Sequence, residues 1–158
     1  MTPPTTASPQ ANTTELQRQS ERTRRLHWLR LSMAFFALLD VAAHIFASPG
    51  ATPIISYWLD IETASYSLIA VIYLLGLRQF YVPPILFTAY NMAMFFLTGF
   101  VALPFGINKA PLVGHIQILQ YSFGRGFSLL AWLYLLLVGI WMLRGDPGSK
   151  LDALLKEQ

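Results

Sequence analysis

The chain has 158 residues, of which 54% are hydrophobic, 14% aromatic and 12% charged, with a formal net charge of +3 and no cysteine. An ordinary soluble domain carries about 25% charged residues, so the composition argues against a water-exposed globular surface. The missing thiols exclude disulfides, iron–sulfur clusters, thiolate metal sites and cysteine nucleophiles. A bilayer crossing takes roughly 20 apolar residues in helical form, so four crossings occupy nearly the whole length and leave no room for a separate soluble domain.

The opening residues, MTPPTTASPQANTT, hold neither charge nor aromatic side chain and have little to bury against the entropy of ordering. Residues 1–20 are expected to form a disordered cytoplasmic tail. The run ELQRQSERTRRLHWLR, with Arg18, Arg22, Arg24, Arg25 and Arg30, is expected to extend the first helix into the cytoplasm. A basic cluster directly before an apolar span marks a cytoplasmic flank rather than a nucleic-acid surface. A cleavable signal peptide is the rival for this region, but the preceding tail is long and Asp40 interrupts the apolar stretch, so a retained span is expected.

The membrane domain is expected over residues 21–145, with spans at about 26–47, 61–77, 82–103 and 122–143. The first stops at Ser48-Pro49-Gly50, and the second has Tyr57 and Trp58 as interfacial anchors and Arg78 at its end. Pro83 and Pro84 suit the first turn of the third, which Pro104-Phe105-Gly106 closes. The segment FGINKAPLVGHIQILQY is too interrupted for a further crossing and fits a short surface or re-entrant helix. Residues 146–158 turn at Asp146-Pro147-Gly148 and end as a short amphipathic cytoplasmic tail. Nine basic residues fall in the two termini and the turn at Arg78, against Lys109 and Arg125 on the opposite side, which puts both termini in the cytoplasm.

Positions three and four apart share a helical face, and each span carries one seam of small and polar residues. These are Met33, Ala37, Asp40, His44 and Ala47 in the first, and Glu62, Tyr66, Ile69, Tyr73 and Gly76 in the second. The third has Pro84, Thr88, Asn91, Phe95, Thr98 and Ala102, and the fourth Arg125, Ser128, Trp132, Leu135 and Gly139. Lipid rewards neither small nor polar groups, whereas helix contacts use both. The expected fold is an all-α integral membrane protein, an antiparallel four-transmembrane-helix bundle.

By depth, Asp40, His44, Glu62, Tyr66, Ser128 and Arg125 gather in the outer third, His115 lies in the outer loop, and Asn91 is near the midplane. An ionisable group at membrane depth costs about 2.5–3.5 kcal/mol, so Asp40 needs a partner, and Arg125 is the expected one. The plainest role for the cluster is to fix helix register. The functional alternatives take Asp40, His44, Glu62, Tyr66, Asn91, His115 and Arg125 as ligand-binding or proton-handling residues. A divalent metal would use Asp40, His44, Glu62 and His115, and a haem would sit between His44 and His115. A quinone or lipid headgroup would use the histidine, tyrosine, arginine and carboxylate beside Trp132 and Tyr121.

No strong catalytic motif is present, and Gly124-Arg125-Gly126 lacks the residues of a phosphate loop. The cytoplasmic half of the seams is dry, which opposes a channel or alternating-access carrier. The leading expectation is a small subunit of a larger membrane assembly, of the respiratory or electron-transfer kind, in contact with lipid and with other subunits or copies of itself. A membrane enzyme or quinone-, haem- or metal-binding redox protein is the alternative, and a transporter of protons or small solutes is the second.

Overall fold

A computed structural model describes residues 9–47, 53–101 and 122–157. These form helices α1 (Pro9–Ala47), α2 (Pro53–Leu75), α3 (Val82–Phe100), α4 (Ser122–Gly145) and α5 (Lys150–Lys156), with a 3₁₀ turn at Arg78–Phe80 and no strand among the described residues. Four helices are long and apolar enough to cross a membrane. At 1.5 Å per residue, the 23 residues of α2 reach roughly 35 Å, enough for a hydrocarbon layer of about 30 Å. The segment expected to form a surface helix between the third and fourth spans, with His115, lies outside the described residues.

Helix ends follow local chemistry. Proline is favoured at the first helical position, and Pro9 and Pro53 open α1 and α2 while Pro83 and Pro84 sit in the first turn of α3. No glycine or proline follows Pro9 before residue 47, and Glu21 and Arg25 stand at the i,i+4 spacing that favours a helix. The helix therefore reaches back to Pro9, so residues 9–20, placed by composition in a tail, are helical. Residues 1–8 lie outside the described residues. α2 likewise begins at Pro53 rather than near Ile61, because nothing between them breaks a helix.

α2 ends in a Schellman motif: Gly76 N–H donates to the Tyr73 carbonyl and Leu77 N–H to the Ile72 carbonyl, both at 3.0 Å. Gly76 takes the required left-handed conformation at φ +64°, where a side chain is strained.

Paired residues define how the helices run. Going up α1, Arg30, Met33 and Asp40 meet Asp146, Gly139 and Trp132 in turn, so α1 and α4 run in opposite senses. His44 meets Glu62 while Arg30 abuts Gly76, which reverses α2 against α1. Tyr66 and Tyr73 pair with Asn91 and Tyr81, which reverses α3 against α2. Met33, Ala37, Ile69, Ala70, Tyr73 and Leu135 fill the space between the helices. Gly139 lets two helices close there, since a Cβ would stand 2.8 Å from the Tyr73 hydroxyl.

The expected seams are the buried faces: Met33, Ala37, Asp40, Tyr66, Ile69, Tyr73, Thr88, Asn91 and Leu135 are all at most 4% exposed. Phe35, Leu38, Leu68, Leu86, Leu130 and Leu137 cover the opposite faces and are exposed. That is an arrangement suited to lipid rather than water.

At one end the helices are tied by a polar clamp. Arg30 donates to both carboxylate oxygens of Asp146, at 2.9 Å from Nε and 2.5 Å from Nη2. The Tyr81 hydroxyl donates to the same carboxylate at 2.8 Å, and Gly148 N–H at 2.9 Å. Arg78 donates to the Leu143 carbonyl, and Ser149 N–H donates to the Gly76 carbonyl. Ser149 caps α5 by accepting from Asp152 N–H, and Asp152 accepts from Gln79 N–H. Asp146-Pro147-Gly148, a turn by its composition, thus also ends in a buried ion pair, because the turn brings its carboxylate over Arg30.

Two outcomes follow. A Cβ at Gly76 runs into the Arg30 guanidinium in addition to its backbone strain. Gly76→Ala should therefore lower stability by about 1–3 kcal/mol, read as a fall in thermal midpoint in detergent, whereas Gly126→Ala, which meets open space, should not. Equal midpoints for the two would remove the clamp as a determinant. Burial pushes the Asp146 carboxyl up, but the hydrogen bonds from Arg30, Gly148 and Tyr81 outweigh it and hold the carboxyl below its ordinary value. A depressed carboxyl stabilises the fold above its unfolded value, about pH 3.9, and loses that effect as pH falls through its folded value. The stability gap between the natural chain and Asp146→Asn should be complete at neutral pH and shrink on acidification below roughly pH 4. A constant gap would contradict this.

Candidate functional site

The second polar layer lies on α1 some 10 to 14 residues beyond Arg30, about 15–21 Å along the helix. Asp40 and His44 are one turn apart on the buried face, and Glu62 and Tyr66 stand one turn apart on the facing side of α2. The aspartate is wholly buried, and His44 and Glu62 are 5% and 6% exposed. His44 Nε2 stands 2.9 Å from Glu62 Oε2. Its Nδ1 is 3.5 Å from Asp40 Oδ2, within ion-pair range but too long for a hydrogen bond.

Two tryptophans complete the pairing. Trp132 Nε1 donates to Asp40 Oδ2 at 3.0 Å, and Trp58 Nε1 donates to Glu62 Oε1 at 2.9 Å. Ser128 faces Asp40 from α4. Asn91 Nδ2 donates to the Tyr66 hydroxyl at 3.2 Å. The Tyr66 and Trp132 rings lie 6.0 and 6.3 Å from the imidazole, and Phe95 meets Trp132 edge-on. An imidazole between two carboxylates is thus enclosed by aromatic surface.

Of the residues singled out from sequence, the structure brings together Asp40, His44 and Glu62, with Tyr66 and Asn91 alongside. Arg125, the expected partner of Asp40, has its backbone in α4, but its side chain lies outside the described residues, as does His115. The described residues facing Asp40 are His44, Trp132 and Ser128. Among the described residues no group of three or more potential ligands converges to hold a metal ion. Both ring nitrogens of His44 face carboxylates.

Sequence analysis places Trp58 at the interface as an anchor. It is 41% exposed and also closes Glu62, a role available to it because α2 starts early enough to set the two one turn apart. Trp132 appears in the fourth seam, but its part as donor to Asp40 depends on which helices meet.

Among the described residues, three buried atoms in this layer have no hydrogen-bond partner: Asp40 Oδ1, His44 Nδ1 and Asn91 Oδ1. Each unpaired buried polar atom costs about 1–3 kcal/mol, so the layer is held against a penalty that the clamp at the other end does not bear. The arrangement can hold a proton on the imidazole and pass it to either flanking carboxylate, and it presents two oxygen acceptors to a donor.

No protein-family model, curated protein or solved structure matches the chain.

Removing one member of a buried pair costs about 3–5 kcal/mol, while a surface change away from such features stays within about 0.5 kcal/mol. Asp40→Asn should therefore lower the thermal midpoint and yield far more than Asp60→Asn, whose residue is exposed. Equal losses from the two would show that burial is not what distinguishes them.

Proposed function

We propose that the protein is an integral membrane protein, an antiparallel four-transmembrane-helix bundle with both termini cytoplasmic, serving as a subunit of a larger membrane assembly. Its working site is the Asp40–His44–Glu62 layer in the outer half, with Tyr66 and Asn91 beside it. The carrying observation is the asymmetry between the two polar layers. Around Arg30 the polar groups are tied into one network, whereas around His44 the atoms Asp40 Oδ1, His44 Nδ1 and Asn91 Oδ1 have no hydrogen-bond partner among the described residues.

A layer kept only for register gains nothing from orphaned acceptors; a layer that receives a hydrogen-bond donor or a proton from outside does. Between the layers, Met33, Ala37, Tyr73 and Leu135 pack tightly, which opposes a continuous path and favours a one-sided site over a channel. The exposed apolar faces on all four helices supply surface for lipid and neighbouring chains.

A second reading is favoured by the aromatic enclosure of His44. In it the layer binds a quinone-type ring, whose hydroxyl in the reduced form would donate a hydrogen bond to the Asp40 carboxylate beside His44 and Glu62.

The chain lacks cysteine, so single cysteines report topology directly. With Asp60→Cys or Glu157→Cys in cells expressing the full chain, an impermeant maleimide should label position 60 on intact cells and position 157 only after permeabilisation. The reverse pattern overturns the orientation. In mild detergent the chain should run with partner chains or copies of itself, and a stable lone monomer would overturn the subunit assignment.

A further inference from the structure

α1 continues past the bundle, and its basic residues are not spread evenly around it. Arg18, Arg22 and Arg25 fall at i, i+4 and i+7, on one face. They wall a groove of about 340 Å³ whose floor is Leu26, Leu29 and Trp141, with Gly145 at its end and Glu21 as its single acidic residue. Arg22 Nη2 reaches the Gly145 carbonyl at 3.5 Å, which fixes the extension against the end of α4. Arg24 lies on a different face, beside Gln19, Ser20 and His27.

The groove combines two chemistries in a fixed order. Three guanidinium groups against one carboxylate leave its polar wall positive. Its apolar floor leads through the exposed Trp141 and Ile140 to the bare hydrocarbon surface of α4 at Leu137. Arginine forks match phosphate oxygens, and tryptophan belongs at the level where headgroups meet acyl chains.

We propose that this groove is a binding site for an anionic phospholipid, the phosphate lying against Arg18, Arg22 and Arg25 and the acyl chain running over Leu29 and Trp141. A soluble phosphate would use the wall but gain nothing from the floor, and a zwitterionic lipid would bring a cation to a positive wall. The assignment rests on the membrane embedding proposed above, with this end at a headgroup layer, and is independent of the subunit role and of the Asp40 layer.

The test uses the full chain, delipidated in detergent and titrated with phosphatidylglycerol or phosphatidylcholine under native mass spectrometry. Phosphatidylglycerol should bind at least about tenfold tighter. The preference should weaken with salt, and inorganic phosphate at equal concentration should leave it unchanged. Arg18→Gln, Arg22→Gln and Arg25→Gln together should abolish the preference. The charge-matched set Arg24→Gln, Arg144→Gln and Lys150→Gln should keep it. With brominated lipids, the extra tryptophan quenching by the anionic species should disappear in Trp141→Phe.

Equal binding of the two lipids, loss of preference in both triple variants, or displacement by inorganic phosphate alone would each overturn the site. Insertion into pure phosphatidylcholine vesicles tests the embedding separately. A chain that inserts there but shows no anionic preference defeats the groove alone, and one that fails to insert defeats the embedding.

Discussion

The Arg30–Asp146 pair sets the register of the bundle. Its carboxylate is buried, its guanidinium is 17% exposed, and the two come from positions 116 residues apart. A slip of α1 by one helical turn, about 5.4 Å, would leave both charges unpaired where they cannot readily regain water. Tyr81 from the α2–α3 connection donates to the same carboxylate, so one anion holds three parts of the chain. Gly76 contributes by omission, since only a residue without a side chain leaves room for the guanidinium at the end of α2.

With that end fixed, the spacing of everything above it follows. Regular helices carry Asp40 and His44 to a level where α2 presents Glu62 and Tyr66 and α4 presents Trp132. The two layers are built from similar residue types and differ in completeness. In the lower one a guanidinium, a phenol and a backbone amide serve a single carboxylate. In the upper one two carboxylates and an imidazole are served by two indoles, which have one donor each, and acceptors remain over among the described residues. That surplus is what the proposed site for a donor or a proton would use.

The outer surface tells the same story from the other side. Phenylalanine and leucine point outward along all four long helices, and the charge of α1 is displaced beyond the clamp, onto an extension that stands clear of the core. There the arginines split between faces: one faces away, while three line the groove floored by Trp141. Position on the helix, rather than the number of charges, separates a general basic flank from the groove wall.

Much of this was legible in the sequence. Four apolar segments of spanning length, one small-and-polar seam on each, and the pairing of Asp40 with His44 across one turn all depend on helix periodicity, which a linear string encodes. The helical start at Pro9 was hidden by composition, because a polar stretch with no apolar face reads alike whether coiled or helical. The clamp was hidden for another reason. Asp146-Pro147-Gly148 has the chemistry of a turn, and Arg30 that of a membrane flank. Only the tertiary structure decides that the turn's carboxylate also lands on that guanidinium, that Trp58 and Trp132 serve the carboxylates, and that three arginines share a wall with Trp141. Periodicity is a property of one helix, but a hydrogen bond between helices depends on relative height and rotation, which are set by the packing of all of them together.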